Sequence, residues 1–239
     1  MRKAAILIIT LITSTTLYAN DMIDSLKTHI KNKEADKIVA LITEHPEVLD
    51  QRDENGSSGL LIIAYSGIEE AFNKAKELKK SFTFYEAIVC GEEENVTDSL
   101  AKDKTYANRY SNDGFPPLCL AAFFNQTGIA KLLLENGADL NLQATNPSKV
   151  NALHSAVAKE NYKLCKLLIE YGVNVNATQM QNVTALHSAA HRGNLQIVKL
   201  LIESGADINL KMANGDTAIS IAERDGHQEV KVYLENLSK

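Results

Sequence analysis

Three short motifs recur along the second half of the chain at a nearly constant spacing. They read GADLN, GVNVN and GADIN, and they begin at Gly137, Gly172 and Gly205, which lie 35 and 33 residues apart. A fixed period of this length is typical of repeat architectures, in which each repeat buries its apolar faces against its neighbours. The period therefore constrains the fold more strongly than any local preference for helix or strand.

Each motif follows a segment with the apolar spacing of an amphipathic helix. These segments read AKLLLEN, CKLLIEY and VKLLIES, and a glycine comes directly after each one. Glycine at that position favours the left-handed conformation that ends many helices. A second, shorter apolar segment precedes each of these helices and reads PPLCLAA, NALHSAV or TALHSAA, and a fourth such segment, TAISIAE, follows the last motif. The sequence therefore predicts a series of stacked helix pairs.

The starts of the shorter helices resemble the ankyrin repeat, a unit of about 33 residues marked by the pattern T-P-L-H-x-A. The LH pair occurs at Leu153 and His154 and again at Leu186 and His187, and the resemblance is explicit from Gly114 onwards. It implies an all-α repeat solenoid, built from helix-turn-helix units with projecting hairpin loops. It also implies that the two histidines are structural residues that tie the turn before each helix, rather than metal ligands.

The same register continues towards the N-terminus in a degenerate form. The apolar residues that open the first helix of each unit are Leu26, Leu60, Phe84, Leu118, Leu153, Leu186 and Ile219. These positions predict about seven units, and the interval from Leu60 to Phe84 is 24 residues, whereas the others are 33 to 35. We therefore expect a bend or a missing hairpin near residues 78–84. On this interpretation, residues 20–113 form degenerate repeats and residues 114–239 form regular repeats with a C-terminal cap.

The first 19 residues have the features of a secretory signal peptide. Arg2 and Lys3 are basic, residues 4–12 are nearly all apolar, and the small residue Ala19 lies where a signal peptidase cleaves. The apolar stretch is shorter than the roughly 20 residues that span a bilayer, and a retained short anchor is the alternative. We therefore expect an exported protein that is periplasmic or, alternatively, secreted, without stable membrane insertion after signal removal.

Charge and motif content argue against several classes of function. The 25 Lys and Arg residues against 30 Asp and Glu residues give a net charge of −5, which argues against nucleic acid as the main partner. Metalloprotease, serine-hydrolase, phosphate-loop and EF-hand motifs do not occur in the sequence. We therefore predict a protein that is not an enzyme and that uses no cofactor or metal. Cys119 and Cys165 are predicted core residues, and Cys90 is the reactive thiol of the alternative, a thiol enzyme or small-molecule carrier.

The resemblance places the candidate binding surface on the inner, concave helices and the hairpin loops, where ankyrin proteins typically bind partners. In this register the two residues before the glycine position of each first helix face the concave side. We call them the inner stripe: Tyr65, Ser66, Val89, Cys90, Phe123, Phe124, Ala158, Lys159, His191, Arg192, Arg224 and Asp225. Tyr110, on a neighbouring hairpin, completes the candidate site.

Phe123 and Phe124 are the most informative pair in the inner stripe. Adjacent residues on a helix do not face the same core stripe, so at least one ring should be exposed as a binding anchor. The alternative is that one ring packs between repeats while the hairpin of Arg109 and Tyr110 covers the other.

The sequence as a whole favours a monomeric, non-catalytic module that binds another protein in the periplasm or outside the cell. Three kinds of partner stay open: an exported enzyme that the chain protects, a toxin that it neutralises as an immunity protein, and a host protein bound by a secreted effector. An extracellular array that self-associates is a further alternative.

Overall fold

The computed structural model describes residues 22–238, and the signal-peptide prediction for residues 1–19 lies outside them. The described part contains fourteen α-helices in seven consecutive pairs, with no β-strand beyond two isolated bridges. The helices are α1 (22–31), α2 (Ala35–Glu44), α3 (Gly59–Ser66), α4 (Glu69–Leu78), α5 (Phe84–Cys90), α6 (Glu93–Lys102), α7 (Pro117–Phe123), α8 (Thr127–Glu135), α9 (Ala152–Ala158), α10 (Tyr162–Glu170), α11 (Ala185–His191), α12 (Leu195–Glu203), α13 (Ala218–Arg224) and α14 (Gln228–Leu237). Short 3-10 helices lie at Pro46–Leu49, Lys104–Asn108 and Met180–Asn182. The predicted fold class, an all-α repeat solenoid, is confirmed.

The chain divides into two compact units, Met1–Glu86 and Ala87–Lys239. Within the first unit, α4 packs against both α2 and α3. Within the second unit, the first helices of successive pairs pack in chain order, α7 against α9, α9 against α11 and α11 against α13. The second helices follow the same order from α6 to α14. This order is that of a repeat array in which each pair shares its core with its neighbours.

The core is built from aliphatic and small side chains at helical spacing. Leu133, Leu168 and Leu201 have no exposed surface, and each lies on the second helix of its pair. Cys119 and Cys165 are buried among them, so the structure confirms that they are core residues. Burial raises the pKa of both thiols, to about 12 for Cys165. Neither side chain is therefore available as a reactive thiolate.

The left-handed backbone positions follow the repeat register. Gly137 ends the turn after α8 with φ of +84°, a conformation that costs glycine less than any other residue. Lys149 adopts a similar conformation, with φ of +51°, in the hairpin between α8 and α9. The equivalent hairpin positions before α7 and α13 are Gly114 and Gly215. This longer hairpin therefore adopts the same left-handed turn as the hairpins before α7 and α13 without their glycine.

The shortened unit lacks a hairpin, as its sequence interval predicts. Helix α4 ends at Leu78 and α5 begins at Phe84, so only residues 79–83 join them. The segment between α2 and α3, residues 45–58, includes a 3-10 helix and a turn closed by the Arg52–Ser58 bridge. Lys79, the first residue of this short connection, is buried.

A buried ion pair lies at this short connection. The Lys79 ammonium contacts the Asp50 carboxylate and lies 3.4 Å from Glu86 Oε1. The Glu86 carboxylate also accepts hydrogen bonds from the Thr83 backbone N–H at 2.8 Å and from the Ser58 hydroxyl at 2.5 Å. The side chains of Lys79 and Glu86 are each only 2% exposed. Each charge thus depends on the other residues of this cluster for the contacts that water would otherwise supply.

Asparagine side chains join neighbouring repeats of the second unit. The Asn176 amide donates to the Gly205 carbonyl at 3.0 Å and accepts the Asp207 N–H at 2.8 Å. One repeat earlier, Asn141 accepts the N–H of Asn174 at 3.0 Å. Each bond spans one repeat, so the turn of one unit satisfies backbone groups of the next.

Candidate partner-binding surface

Three of the first helices that carry the inner stripe, α9, α11 and α13, begin with reciprocal side-chain caps. Before α9, Asn151 Oδ1 accepts the His154 N–H at 3.0 Å, and His154 Nδ1 accepts the Asn151 N–H at 3.4 Å. Because Nδ1 accepts a backbone N–H, the ring proton lies on Nε2, which donates to the Val183 carbonyl at 3.2 Å. His154 thus caps its own helix and holds the loop of the next repeat.

His187 repeats this arrangement one unit later. Its Nδ1 accepts the Thr184 N–H at 3.1 Å, and its Nε2 lies 3.0 Å from the Leu210 carbonyl oxygen. Both imidazoles are almost fully buried. The structural role predicted for the two histidines is confirmed. Within residues 22–238, no group of three or more histidine, cysteine or acidic side chains is placed to hold a metal ion.

Because the imidazole rings of His154 and His187 are buried, we expect the folded chain to lose stability in mild acid. Burial lowers the pKa of His154 to about 4 and lowers that of His187 as well. The unfolded chain, with an ordinary histidine pKa near 6.5, therefore binds more protons than the folded chain between about pH 6.5 and about pH 4. Across that window His154 alone is expected to remove about 3 kcal/mol from the free energy of unfolding.

Urea unfolding of the wild type and of a His154→Gln variant, at about pH 7 and about pH 4.5, measures this effect. The variant is less stable at neutral pH but loses less stability on acidification. A His45→Gln variant, changed at the turn between α2 and the first 3-10 helix, serves as the control for the loss of a histidine side chain. An unchanged pH dependence in His154→Gln would contradict the role given to this ring.

The structure places an exposed aromatic ring at the end of α7. Phe123 is 40% exposed, whereas Phe124 is half-buried. The two rings meet edge to face, with centroids 5.2 Å apart and planes at 77°, a favourable geometry for aromatic pairs. The Lys159 ammonium, at the end of α9, lies 4.2 Å from the Phe123 ring centroid. Neighbouring repeats thus place an apolar ring and a cation side by side.

Val89 does not belong to the accessible surface, and its inclusion in the candidate site is wrong. Its side chain has no exposed area, and its carbonyl accepts a hydrogen bond from the Gln126 amide at 3.2 Å. The side-chain amide of Gln126, from the next repeat, thus lies against the backbone at this end of α5. Cys90 and Tyr110 are half-buried, so each presents only part of its surface.

Tyr65 and Ser66 lie in the first unit, at the end of α3. Both are half-buried. The Ser66 hydroxyl donates to the Ile63 carbonyl at 2.6 Å and accepts the Ile68 N–H at 3.2 Å. Its polar groups are therefore engaged in ending one helix and starting the next.

The basic residues at the other end of the inner stripe pair with acidic residues. His191 Nδ1 lies 2.6 Å from an Asp225 oxygen, and Arg224 reaches the same carboxylate at 3.0 Å. These two contacts, the His191 hydrogen bond first, lower the pKa of Asp225. Arg192 lies 3.8 Å from the Glu160 carboxylate. The positive charge that the sequence places along this stretch is thus largely balanced.

Two acidic residues on this surface were missed by sequence reasoning. Glu160 accepts a hydrogen bond from the Asn194 amide at 3.0 Å in addition to its contact with Arg192. The Asp216 carboxylate, on the hairpin before α13, lies 2.6 Å from the guanidinium of Arg224, the last residue of that helix. Glu160 directly follows the inner stripe position of α9 and lies one repeat before Asn194. The repeat register alone would therefore have predicted that these two residues are neighbours.

Comparison with known proteins agrees with this architecture. A model of ankyrin repeats in three copies matches residues 26–179 and 153–237. A human relative, Ankyrin repeat and KH domain-containing protein 1, is 33% identical over 79 residues, which cover 33% of this chain and 3% of the relative. The chain therefore spans only a small fraction of that protein's length. No helix within residues 22–238 combines the length and apolarity needed to cross a membrane. The matched regions reach across nearly all the described helix pairs, and the chain belongs to the ankyrin-repeat family.

Proposed function

We propose that this chain is a non-catalytic protein-binding module that engages its partner around Phe123. The observation that carries the proposal is the large exposed ring at the end of a rigidly packed first helix. Aromatic residues held on rigid elements are frequent anchors of protein interfaces. Ankyrin repeats generally mediate protein–protein interaction, which supports the same assignment.

We further propose that the chain acts as a monomer after export from the cytosol. The basic start, the short apolar stretch and Ala19 support export. The partner is then a periplasmic or extracellular protein. Three kinds of partner fit this location: an exported enzyme that the chain protects, a toxin that it neutralises, and a host protein that it binds as an effector.

The proposal predicts that a Phe123→Ala variant of residues 20–239 loses its partner without losing its fold. The ring is exposed and is not one of the buried core residues, so thermal unfolding should shift little. Loss of an interface anchor, in contrast, is expected to weaken binding by about 2 kcal/mol or more. Pull-downs from the exported and cytosolic fractions of the source cell, followed by mass spectrometry, compare the variant with the wild type.

Tyr171→Ala supplies the matched control, because Tyr171 is 42% exposed and follows a second helix rather than a first one. A protein captured from the exported fraction by the wild type and by Tyr171→Ala, but not by Phe123→Ala, supports both the surface and the location. Equal capture by all three chains would place the interface elsewhere. A partner found only in the cytosolic fraction would count against export.

A further inference from the structure

We propose that the surface at Phe123 and Lys159 recognises a partner segment in which one carboxylate lies next to a large apolar side chain. This inference rests on the proposed function and specifies the chemistry of the partner. Its basis is the combination of an exposed ring and a cation on neighbouring repeats of the second unit.

Lys159 differs from the other cations of this stretch in its surroundings. Arg192 has the Glu160 carboxylate at 3.8 Å, and Arg224 has that of Asp225 at 3.0 Å. Among the described residues, the contact found for the Lys159 ammonium is the Phe123 ring, at 4.2 Å from its centroid. A cation without a carboxylate partner, on a surface whose other charges are balanced, attracts a negative group from outside.

Phe123 supplies the apolar half of the surface. Its ring is 40% exposed and makes an edge-to-face contact with Phe124. A cation over an exposed ring is held weakly, because both groups remain accessible to water. An incoming carboxylate can therefore pair with the Lys159 ammonium beside the ring, while the neighbouring apolar side chain of the partner covers the exposed part of the ring.

The distances limit the spacing of the two groups in the partner. Because the Lys159 ammonium lies 4.2 Å from the ring centroid, the carboxylate and the apolar side chain must be close neighbours on one face of the segment. Residues one or two positions apart in an extended segment, or three or four apart in a helix, satisfy this requirement.

Acidic neighbours restrict the charge of that segment. Glu160 follows Lys159 directly in the sequence and is 48% exposed at its side chain, and its nearest cation is 3.8 Å away. A run of several carboxylates would meet repulsion from Glu160, whereas a single one would meet Lys159. The surface thus favours a segment with one acidic residue beside an aromatic or aliphatic one, and not a polyanion.

Selection of a phage-displayed library of random 12-residue peptides on the immobilised chain tests the inference. We expect the selected peptides to share one Asp or Glu within a few positions of Trp, Phe, Leu or Ile. For a synthetic peptide with that pattern, Phe123→Ala and Lys159→Gln should each raise the dissociation constant by about tenfold. Changing the peptide's acidic residue to its amide should weaken binding to the wild type but not to Lys159→Gln.

Lys166→Gln is the matched control, because Lys166 is exposed on the second helix α10 and carries the same charge. It should bind the peptide as the wild type does. Peptides that require Phe123 but bind equally well as acid and amide would overturn the inference and leave the proposed function standing. A selection that yields no peptide dependent on Phe123 would overturn both.

Discussion

A Lys79→Met variant is expected to have a free energy of unfolding about 3 to 5 kcal/mol below that of the wild type. The reason is that Glu86, with 2% of its side chain exposed, would lose the cation that lies 3.4 Å from its carboxylate. The Ser58 and Thr83 donors remain, but they do not neutralise a buried charge. Methionine has a similar length, so the change removes the charge with little loss of packing volume.

Urea unfolding monitored by circular dichroism measures this loss, and Lys80→Met is the control because Lys80 is the exposed neighbour. A double variant, Lys79→Met with Glu86→Leu, should lose less stability than Lys79→Met alone, since it removes both buried charges. Equal unfolding midpoints for Lys79→Met and Lys80→Met would show that the pair contributes nothing to stability.

A Leu133→Ala variant is expected to lose about 2 to 5 kcal/mol of unfolding free energy. Leu133 is fully buried in the second helix α8, and a smaller side chain there leaves a cavity between repeats that pack on both sides. Leu201, at the equivalent depth in α12, should behave in the same way. The measurement is again denaturant unfolding at constant pH.

Helix α8 provides its own control for this prediction. Leu132 directly precedes Leu133 but is half-buried, so Leu132→Ala should cost clearly less. Because both substitutions remove the same atoms from the same helix, helix propensity cancels in the comparison and burial remains. Unfolding of Leu133→Ala at the wild-type denaturant concentration would contradict the repeat register.

The repeat period was sufficient to predict the helix pairs, the buried cysteines and the missing hairpin. These features depend on spacing within a unit, such as the glycine after each second helix, and spacing is visible in the sequence. The inward turn of Lys79 was not predictable in this way. Residues 79 and 80 are both lysine, and only the short connection to α5 determines which of them is buried.

The candidate site was predicted less completely for a related physical reason. Helical geometry alone indicates that one ring of the Phe123 and Phe124 pair is exposed, but it does not indicate which one, nor that Val89 at the same register position as Phe123 is buried. The balance of charge near Arg192 likewise depends on Glu160, which lies one repeat earlier. The sequence of each helix is sufficient to predict the inner stripe. Contacts between repeats then determine which of its residues are accessible and which of its charges are balanced.

The asparagine bonds between repeats also determine how the array can change in length during evolution. The turn after α10 presents the Asn176 amide to Gly205 and Asp207 of the following unit, and its Asn174 N–H donates to Asn141 of the preceding unit. Deleting or duplicating one whole period rejoins matching donors and acceptors, whereas removing part of a period leaves backbone groups without partners. We therefore expect such a chain to lengthen or shorten its binding surface by gain or loss of complete units, because these changes leave the fewest backbone groups without hydrogen-bond partners.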